Sequence, residues 1–168
     1  MARSSTGDAP AYRPLAAPWE AALELFRFAG AWSPPPADVV AGWGAWEEDR
    51  LVGALLMERA GATAMLHGPV VVAPPATPAE DVLGVAGRLT AEALTHAASV
   101  GIETVFARPQ SLDRVWVRAG FIPVPEAELP RPLRGRPGLG LFGWRGGTAL
   151  WSTAGRGRSR SALARGEH

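Results

Sequence analysis

The first half of the chain alternates between apolar stretches and short polar turns, a pattern that is typical of β-strands. A short first strand at 11–15 is followed by a helix that starts at Pro18 and has an apolar stripe at a spacing of three to four residues. After a proline-rich break at 33–36 come three further strands, separated by two turns of three residues, a polar one at 48–50 and one of small residues at 60–62. These strands span 43–47, 51–59 and 63–73. Turns this short join only antiparallel neighbours, so the pattern predicts an antiparallel meander.

From Thr77 onwards the spacing of apolar residues becomes helical. The run Thr77-Pro78-Ala79-Glu80 combines a capping residue, a proline and an acid, which predicts the start of a helix. Apolar residues then recur every three or four positions until Gly101, which ends the helix. The remaining predicted elements are a strand at 102–107, a helix at 112–119, a strand at 121–124 and a hairpin of 141–144 with 148–151. This order predicts an α/β fold with a mixed sheet: an antiparallel N-terminal meander, a strand–helix–strand–helix–strand unit with parallel pairing, and a C-terminal hairpin.

The composition excludes several kinds of chemistry. The 168 residues include no cysteine, and all 17 basic residues are arginine, so the chain has no lysine. A cysteine nucleophile, a Schiff-base lysine and a P-loop lysine are therefore excluded. With no cysteine and only three histidines, we expect no structural metal site.

Length and charge indicate one domain with loose ends. We expect a flexible N-terminus at 1–10, a folded domain at 11–152 and a disordered tail, rich in arginine and glycine, at 153–168. The tail is positively charged and the rest of the chain is slightly acidic, so nucleic acid is not an expected partner. No apolar run approaches the ~20 residues of a membrane span, and the first residues lack an apolar signal segment. We therefore expect a cytoplasmic location without a membrane partner.

Four short motifs occur in the order and spacing of one known family. They are Leu51-Val52-Gly53, Val70-x-Val72-x-Pro74, Asp81-Val82-Leu83-Gly84-Val85-Ala86 and Trp116-x-x-x-Gly120-Phe121. Together with the order of the predicted elements, they resemble the GNAT superfamily of acyl-CoA-dependent N-acyltransferases over residues 11–152. The resemblance implies acyl transfer from acetyl-CoA, as co-substrate, to the primary amine of a small molecule or peptide. It also implies direct attack in a ternary complex without a metal, and it is compatible with a homodimer.

The same resemblance implies where the co-substrate lies. Strands four and five of the family separate, and the pantetheine arm pairs with main-chain groups of strand four, which by position are those of Val70 and Val72. The diphosphate lies at the N-terminus of the next helix, where free N–H groups and the helix dipole favour an anion. The residues expected to receive the diphosphate are Gly84, Ala86, Gly87 and Arg88. Asp81, beside Glu80, replaces the basic or amide residue of the family.

Two side chains are candidates for the general base of such a reaction. Many relatives use a glutamate on strand four at the position of Leu66, and His67 next to it would face the opposite side of the strand. Glu58, at the end of the preceding strand, is the other candidate. For both candidates an ordinary structural or solvated role is the competing interpretation. The tyrosine that often reprotonates the departing thiolate in the family is replaced by Trp116, whose indole N–H is not a useful acid.

Two alternatives stay open from the sequence. If the long helix begins at Pro78, the N–H of Gly84 is hydrogen-bonded inside the helix and cannot bind a phosphate. If a longer loop delays the start of the helix to the neighbourhood of Gly84, this N–H is free, as CoA binding requires. The chain is either an N-acyltransferase or a catalytically impaired GNAT-like binding or assembly module. Leu66, Asp81 and Trp116 favour the second function, because each departs from the pattern of the family.

Overall fold

A mixed β-sheet with helices on both faces forms the centre of the computed structural model, which describes residues 8–108, 112–136 and 151–152. Its strands are β1 (Ala11–Leu15), β2 (Val39–Glu47), β3 (Arg50–Ala60), β4 (Thr63–Val71), β5 (Thr104–Arg108), β6 (Ile122–Pro123) and β7 (Trp151–Ser152). The helices are α1 (Glu20–Phe28), α2 (Ala79–Ser99) and α3 (Asp113–Arg118), with 3₁₀ turns at Pro36–Asp38, Glu126–Glu128 and Arg131–Leu133. The strand order across the sheet is β1-β2-β3-β4-β5-β7-β6.

The antiparallel meander and the parallel crossover are both confirmed. Strands β1 to β4 pair in sequence as antiparallel neighbours, and α2 returns the chain so that β5 lies parallel to β4. The far edge differs from the expectation, because β7 lies between β5 and β6 and separates them. The predicted hairpin strand at 141–144, residues 1–7 and the tail from 153 onwards lie outside the described residues.

Alternation along β3 and β4 divides the buried side chains between the two faces of the sheet. Leu55 and Leu66 pack in the cluster beneath α2, whereas Leu56 packs on the opposite face with Phe26 of α1. Full burial of a side chain of this size stabilises the fold by roughly 1.5–3 kcal/mol. Directly opposite residues of paired strands project to the same face. His67, the partner of Leu56, therefore lies on the α1 face.

Helix α2 begins at Ala79, so Gly84 lies inside the helix. The first turn is closed by the N–H of Asp81, which donates to the carbonyl oxygen of Pro78 at 3.0 Å. No side chain caps this helix end, so the predicted capping box does not form. The alternative in which a longer loop delays the helix to the neighbourhood of Gly84 is wrong, because the chain already has helical geometry five residues earlier.

The other end of α2 is closed by a glycine in the left-handed region. Gly101 has a φ of +77°, and the N–H of Ile102 donates to the carbonyl oxygen of Ala97 at 2.9 Å. This arrangement satisfies one of the last carbonyl groups of the helix and turns the chain into β5. None of the helices among the described residues is both long and apolar enough to cross a lipid bilayer.

Candidate active site

Strands β4 and β5 are paired over only part of their length. Their register runs from Thr63 opposite Thr104 to His67 opposite Arg108, where the described part of β5 ends. Strand β4 continues to Val71. Within the described residues, the last part of β4 therefore has no partner on the β5 side. This is the point at which the resemblance leads us to expect the two strands to separate.

A bulge in β4 follows the last residue that pairs with the described part of β5. Ala54 of β3 is paired with Val70 of β4, and Leu56 of β3 is paired with His67 of β4. The same interval therefore spans two residue steps on β3 and three on β4. The extra residue falls at Gly68-Pro69. A bulge bends the strand that contains it, and proline has no N–H to donate to a neighbouring strand. The Gly-Pro pair therefore interrupts the regular hydrogen-bonding edge of β4 at the residue after His67.

In this last part of β4, the main-chain groups that point to the β5 side belong to Val71. The N–H of Val72 donates to the carbonyl oxygen of Val52 on β3 at 2.8 Å, so this group points away from β5. N–H and C=O groups alternate in direction along a strand, which orients Val70 towards β3 as well. The sequence led us to expect these groups on Val70 and Val72. The bond from Val72 to Val52 shows that both residues direct their main-chain groups to β3, so the residue that points to the β5 side is Val71, one position away.

Gly68 is required at the bulge both by its backbone angle and by its surroundings. Its φ is +98°, and a Cβ atom there would lie 3.0 Å from the carbonyl oxygen of Ala54 and 3.1 Å from Cζ of Phe26. We expect Gly68→Ala to lower the free energy of unfolding by about 2 kcal/mol or more, because the left-handed cost of ~1–2 kcal/mol is joined by this contact. Gly61→Ala is the matched control, since Gly61 has a φ of +61° and open space around it. Equal losses in denaturant unfolding of the two variants would contradict the importance of the contact.

Glu58 and His67 meet on the α1 face, where the described pairing of β4 with β5 ends. Nε2 of His67 lies 2.6 Å from Oε2 of Glu58, and the two side chains are 0% and 3% exposed. Burial raises the pKa of Glu58, but the hydrogen bonds and charges of His67 and Arg136 outweigh burial and lower this pKa to about 2. Glu58 is therefore an anion at neutral pH. A carboxylate only accepts hydrogen bonds, so Nε2 of His67 is the donor in this pair.

His67 is neutral in this arrangement. Burial lowers its pKa, and the positive charges of Arg136 and Arg108 act in the same direction against the opposing effect of Glu58. With the proton on Nε2, Nδ1 holds a lone pair and has no hydrogen-bond partner among the described residues. The ring of Trp32, in the segment after α1, lies 5.2 Å from the imidazole ring between centroids. The arrangement is a buried imidazole with one ring nitrogen that has no hydrogen-bond partner among the described residues.

Arg136 completes the cluster from a distant part of the chain. Its Nη2 donates to Oε1 of Glu58 at 2.7 Å and its Nε donates to Oε2 at 3.1 Å. Sequence reasoning treated the surrounding loop only as a connection and missed this residue. A spacing of 78 residues leaves no local pattern that could link Arg136 to Glu58. In the sequence, Arg136 is one of several arginines in a loop rich in arginine and proline, and nothing distinguishes it from the others.

The residues expected to receive the diphosphate are not at a helix end. Gly84, Ala86, Gly87 and Arg88 all lie within α2, where main-chain N–H groups bond to the preceding turn. Ala86 is fully buried, and a Cβ atom at Gly84 or Gly87 would meet nothing within 4 Å. Arg88 donates to Glu92 at 2.8 Å and lies over the ring of Tyr12. These positions do not form a cradle that needs glycine, because α2 starts five residues before Gly84.

A cleft of about 480 Å³ lies beside the start of α2. Apolar residues from the sheet and the helix, including Val52, Val71 and Val85, line its floor. Four acidic residues also line it: Asp8, Glu47, Glu80 and Asp81. Arg118 of α3 forms an exposed ion pair with one of them, Glu80, at 3.4 Å. The surroundings of the helix start are therefore acidic, which opposes a diphosphate. Among the described residues, no cluster of histidine, aspartate and glutamate could hold a metal ion.

The positions of Leu66 and Trp116 agree with their apolar character. Both are fully buried in the cluster beneath α2, on the face opposite His67. The indole ring of Trp116 meets the ring of Phe121 edge-on, with 5.0 Å between centroids. Its Nε1 has no hydrogen-bond partner among the described residues. Neither side chain can exchange a proton with a substrate in the way that the family residues at these positions do.

Comparison with solved structures identifies this architecture as the fold of the GNAT acetyltransferases. A GNAT-family acetyltransferase from Staphylococcus aureus matches 86% of this chain and 98% of its own, with a TM-score of 0.63 and 11% identity. The ribosomal-protein-S18-alanine N-acetyltransferase of Escherichia coli matches 85% of this chain and 92% of its own, with a TM-score of 0.56 and 10% identity. No protein-family model and no curated protein matches the sequence.

A third solved structure contains coenzyme A. The N-acetylglutamate synthase of Neisseria gonorrhoeae, complexed with coenzyme A and N-acetyl-glutamate, matches 85% of this chain with a TM-score of 0.61 and 16% identity. The present chain spans about one third of that protein, 34% of its length. At these identities the comparisons establish the fold of the chain, and they add that structures with this fold bind coenzyme A.

Proposed function

We propose that this protein is an acyl-CoA-dependent N-acyltransferase that transfers an acetyl group to the primary amine of a small molecule or peptide. The observation that supports this function best is the position of the Glu58–His67 pair at the point where β4 and β5 separate. In this proposal the thioester lies beside β4 beyond its pairing with β5, and the pair supplies the base next to it. Solved structures with the same fold that contain coenzyme A support the choice of donor.

In the proposed reaction, the N–H and C=O of Val71 orient the pantetheine arm. The acceptor amine attacks the thioester carbonyl carbon, so a C–N bond forms and the amine loses a proton to Nδ1 of His67. The C–S bond then breaks, and the departing thiolate recovers that proton from the imidazolium. The same residue serves as base and acid, which is consistent with the absence of an acidic group on Trp116. Positioning the two reactants supplies much of the rate.

Glu58 has a supporting role in this scheme. Its carboxylate accepts a hydrogen bond from Nε2–H of His67 and so keeps the basic nitrogen at Nδ1. Its negative charge also stabilises the imidazolium that forms when the amine is deprotonated. Glu58 itself is a poor base, because a carboxyl group with a pKa of about 2 has little affinity for a proton at neutral pH.

Calorimetric titration with acetyl-CoA tests the proposal at its first step. We expect binding in the micromolar range at near-physiological salt, followed by release of free thiol when a panel of amines is added. No heat and no thiol release at millimolar acetyl-CoA would contradict the proposed function.

A binding or assembly module is the second candidate function, and the start of α2 favours it. The first turn of α2 holds two acidic side chains, and the residues of the family's phosphate loop lie inside the helix. Both features weaken binding of a diphosphate, because carboxylates repel it and engaged N–H groups cannot hold it. Such a module would keep the fold and lack measurable affinity for coenzyme A.

The acidic start of α2 leads to a prediction about affinity. We expect the double substitution Glu80→Gln and Asp81→Asn to tighten binding of acetyl-CoA by about tenfold at low salt, since each removed charge is worth up to about 1 kcal/mol near the phosphates. The gain should shrink at high salt, which screens exposed charges. The control is Glu20→Gln with Glu24→Gln, which makes the same charge change on α1. Equal gains from both pairs, or no gain from either, would contradict binding of the diphosphate beside Glu80 and Asp81.

A further inference from the structure

We propose that Arg136 is a positioning residue, which holds Glu58 in place and keeps His67 in its neutral, proton-accepting form. The catalytic consequence rests on the proposed function, whereas the effect on His67 does not. Arg136 touches neither reacting group in this scheme and acts through Glu58.

The contact between Arg136 and Glu58 is two-pronged. Each carboxylate oxygen of Glu58 receives its own hydrogen bond from the guanidinium group, at 2.7 and 3.1 Å. Paired hydrogen bonds between a planar guanidinium and a carboxylate fix the orientation of both groups. Oε2 also accepts from His67, so the same carboxylate connects Arg136 to the imidazole. The side chain of Arg136 is 20% exposed, which makes this a largely buried ion pair.

The loop that presents Arg136 is itself fixed to the core. The guanidinium donates to the carbonyl oxygens of Arg134 and Pro132 at 2.8 and 3.1 Å, so its remaining donors hold its own loop. The preceding 3₁₀ turn buries Leu133, which packs with Met65 of β4 and with Leu129. The side chain is therefore held in its contact geometry before any ligand arrives.

The charges around His67 set the direction of the effect. Glu58 faces it from β3, Arg108 from β5 and Arg136 from the loop, while Asp38 lies near Arg136 on the segment before β2. Glu58 favours protonation of the imidazole, and the two arginines oppose it. Without Arg136, the negative charge of Glu58 would act on His67 with less compensation. His67 would then take up a proton at higher pH and lose its function as a base.

A nuclear magnetic resonance titration of the three histidines measures this effect without an activity assay. The resonance of His67 is assigned from the His67→Gln variant, and its pKa is followed in the wild type and in Arg136→Gln. We expect the pKa of His67 to rise by about one unit or more in Arg136→Gln. Arg136→Lys keeps the charge and should retain most of the wild-type behaviour. Arg131→Gln removes the same charge from an exposed residue of the same loop and should have no effect.

Each outcome decides between the proposals. An unchanged pKa of His67 in Arg136→Gln, or the same rise in Arg131→Gln, would overturn the role of Arg136. If Arg136→Gln does not fold, the comparison of wild type with Arg136→Lys replaces it, and a rise of a full unit despite the retained charge would overturn the electrostatic role. A rise in Arg136→Gln without acyl transfer by the wild type would leave the positioning role intact and remove the proposed function. Where transfer occurs, the acid limb of the rate profile should move to higher pH together with the pKa.

Discussion

Replacing His67 with glutamine is expected to lower kcat/KM for acyl transfer by about 10²–10⁴-fold, the usual contribution of a positioned base. A glutamine amide can donate a hydrogen bond to Glu58 as Nε2 of His67 does, but it has no basic nitrogen. The substitution therefore removes proton transfer while it retains the contact with Glu58. Affinity for acetyl-CoA, measured by calorimetry, should change little, because in the proposed binding mode the pantetheine arm contacts the main chain of β4 and not His67.

The pH dependence of the wild-type rate provides a second test of His67 as the base. Burial lowers the pKa of His67 from 6.5, so the base is neutral above that value and its protonation should reduce the rate only at lower pH. His96→Gln is the control, since His96 lies on α2 and contacts Trp43 edge-on. A His67→Gln variant with full activity, or an acid limb below pH 6.5 that stays unchanged in His67→Gln, would contradict the assignment of His67 as base.

Replacing Glu58 with glutamine is expected to lower the free energy of unfolding by about 3 kcal/mol at pH 7. Two arguments give this magnitude. A pKa lowered from 4.5 to about 2 corresponds to a stabilisation of about 3 kcal/mol. Removing one partner of a buried ion pair typically costs about 3–5 kcal/mol, because the other charge stays buried without compensation. Denaturant unfolding of both proteins measures the difference.

The sign of the pH dependence follows from the direction of the shift. A carboxyl group whose pKa is lowered in the folded state contributes its stability above the unfolded value, and loses that stability as pH falls through the folded value. The difference between the wild type and Glu58→Gln should therefore shrink between about pH 4.5 and pH 2. Glu47→Gln is the matched control, because Glu47 and Arg50 form an exposed ion pair at 3.0 Å. Such pairs contribute under about 1 kcal/mol. Equal losses in both variants would contradict the buried pairing of Glu58.

The periodic parts of the fold could be predicted from the sequence. The meander and the long helix follow from alternation and helical spacing, which local physical chemistry determines. The expectation that β4 separates from β5 came from the resemblance to the GNAT family and not from the residue pattern. The prediction of which main-chain groups of β4 point to the β5 side was wrong by one residue. A bulge reverses the alternation beyond it, and neither composition nor spacing identifies which residue of Gly68-Pro69 is the extra one.

The candidate site could be predicted only in part. Glu58 and His67 lie on neighbouring strands, and both were candidates as individual residues. Their contact depends on the register of β3 and β4, which the bulge modifies. Arg136 could not be found, because its contact with Glu58 joins residues that are distant in sequence. The start of α2 was one of two alternatives, since local signals for a helix start compete with the needs of a ligand.

The placement of an acyl-CoA thioester between β4 and β5 is tested most directly by an amide titration of the ¹⁵N-labelled protein with coenzyme A. We expect the N–H of Val71 to shift strongly, because it faces the opening. The N–H of Val72 should shift less, because it already donates to Val52. Saturable shifts centred on Val71 and the neighbouring bulge would support the site. No shift of Val71 at millimolar coenzyme A, or shifts confined to another part of the molecule, would contradict it.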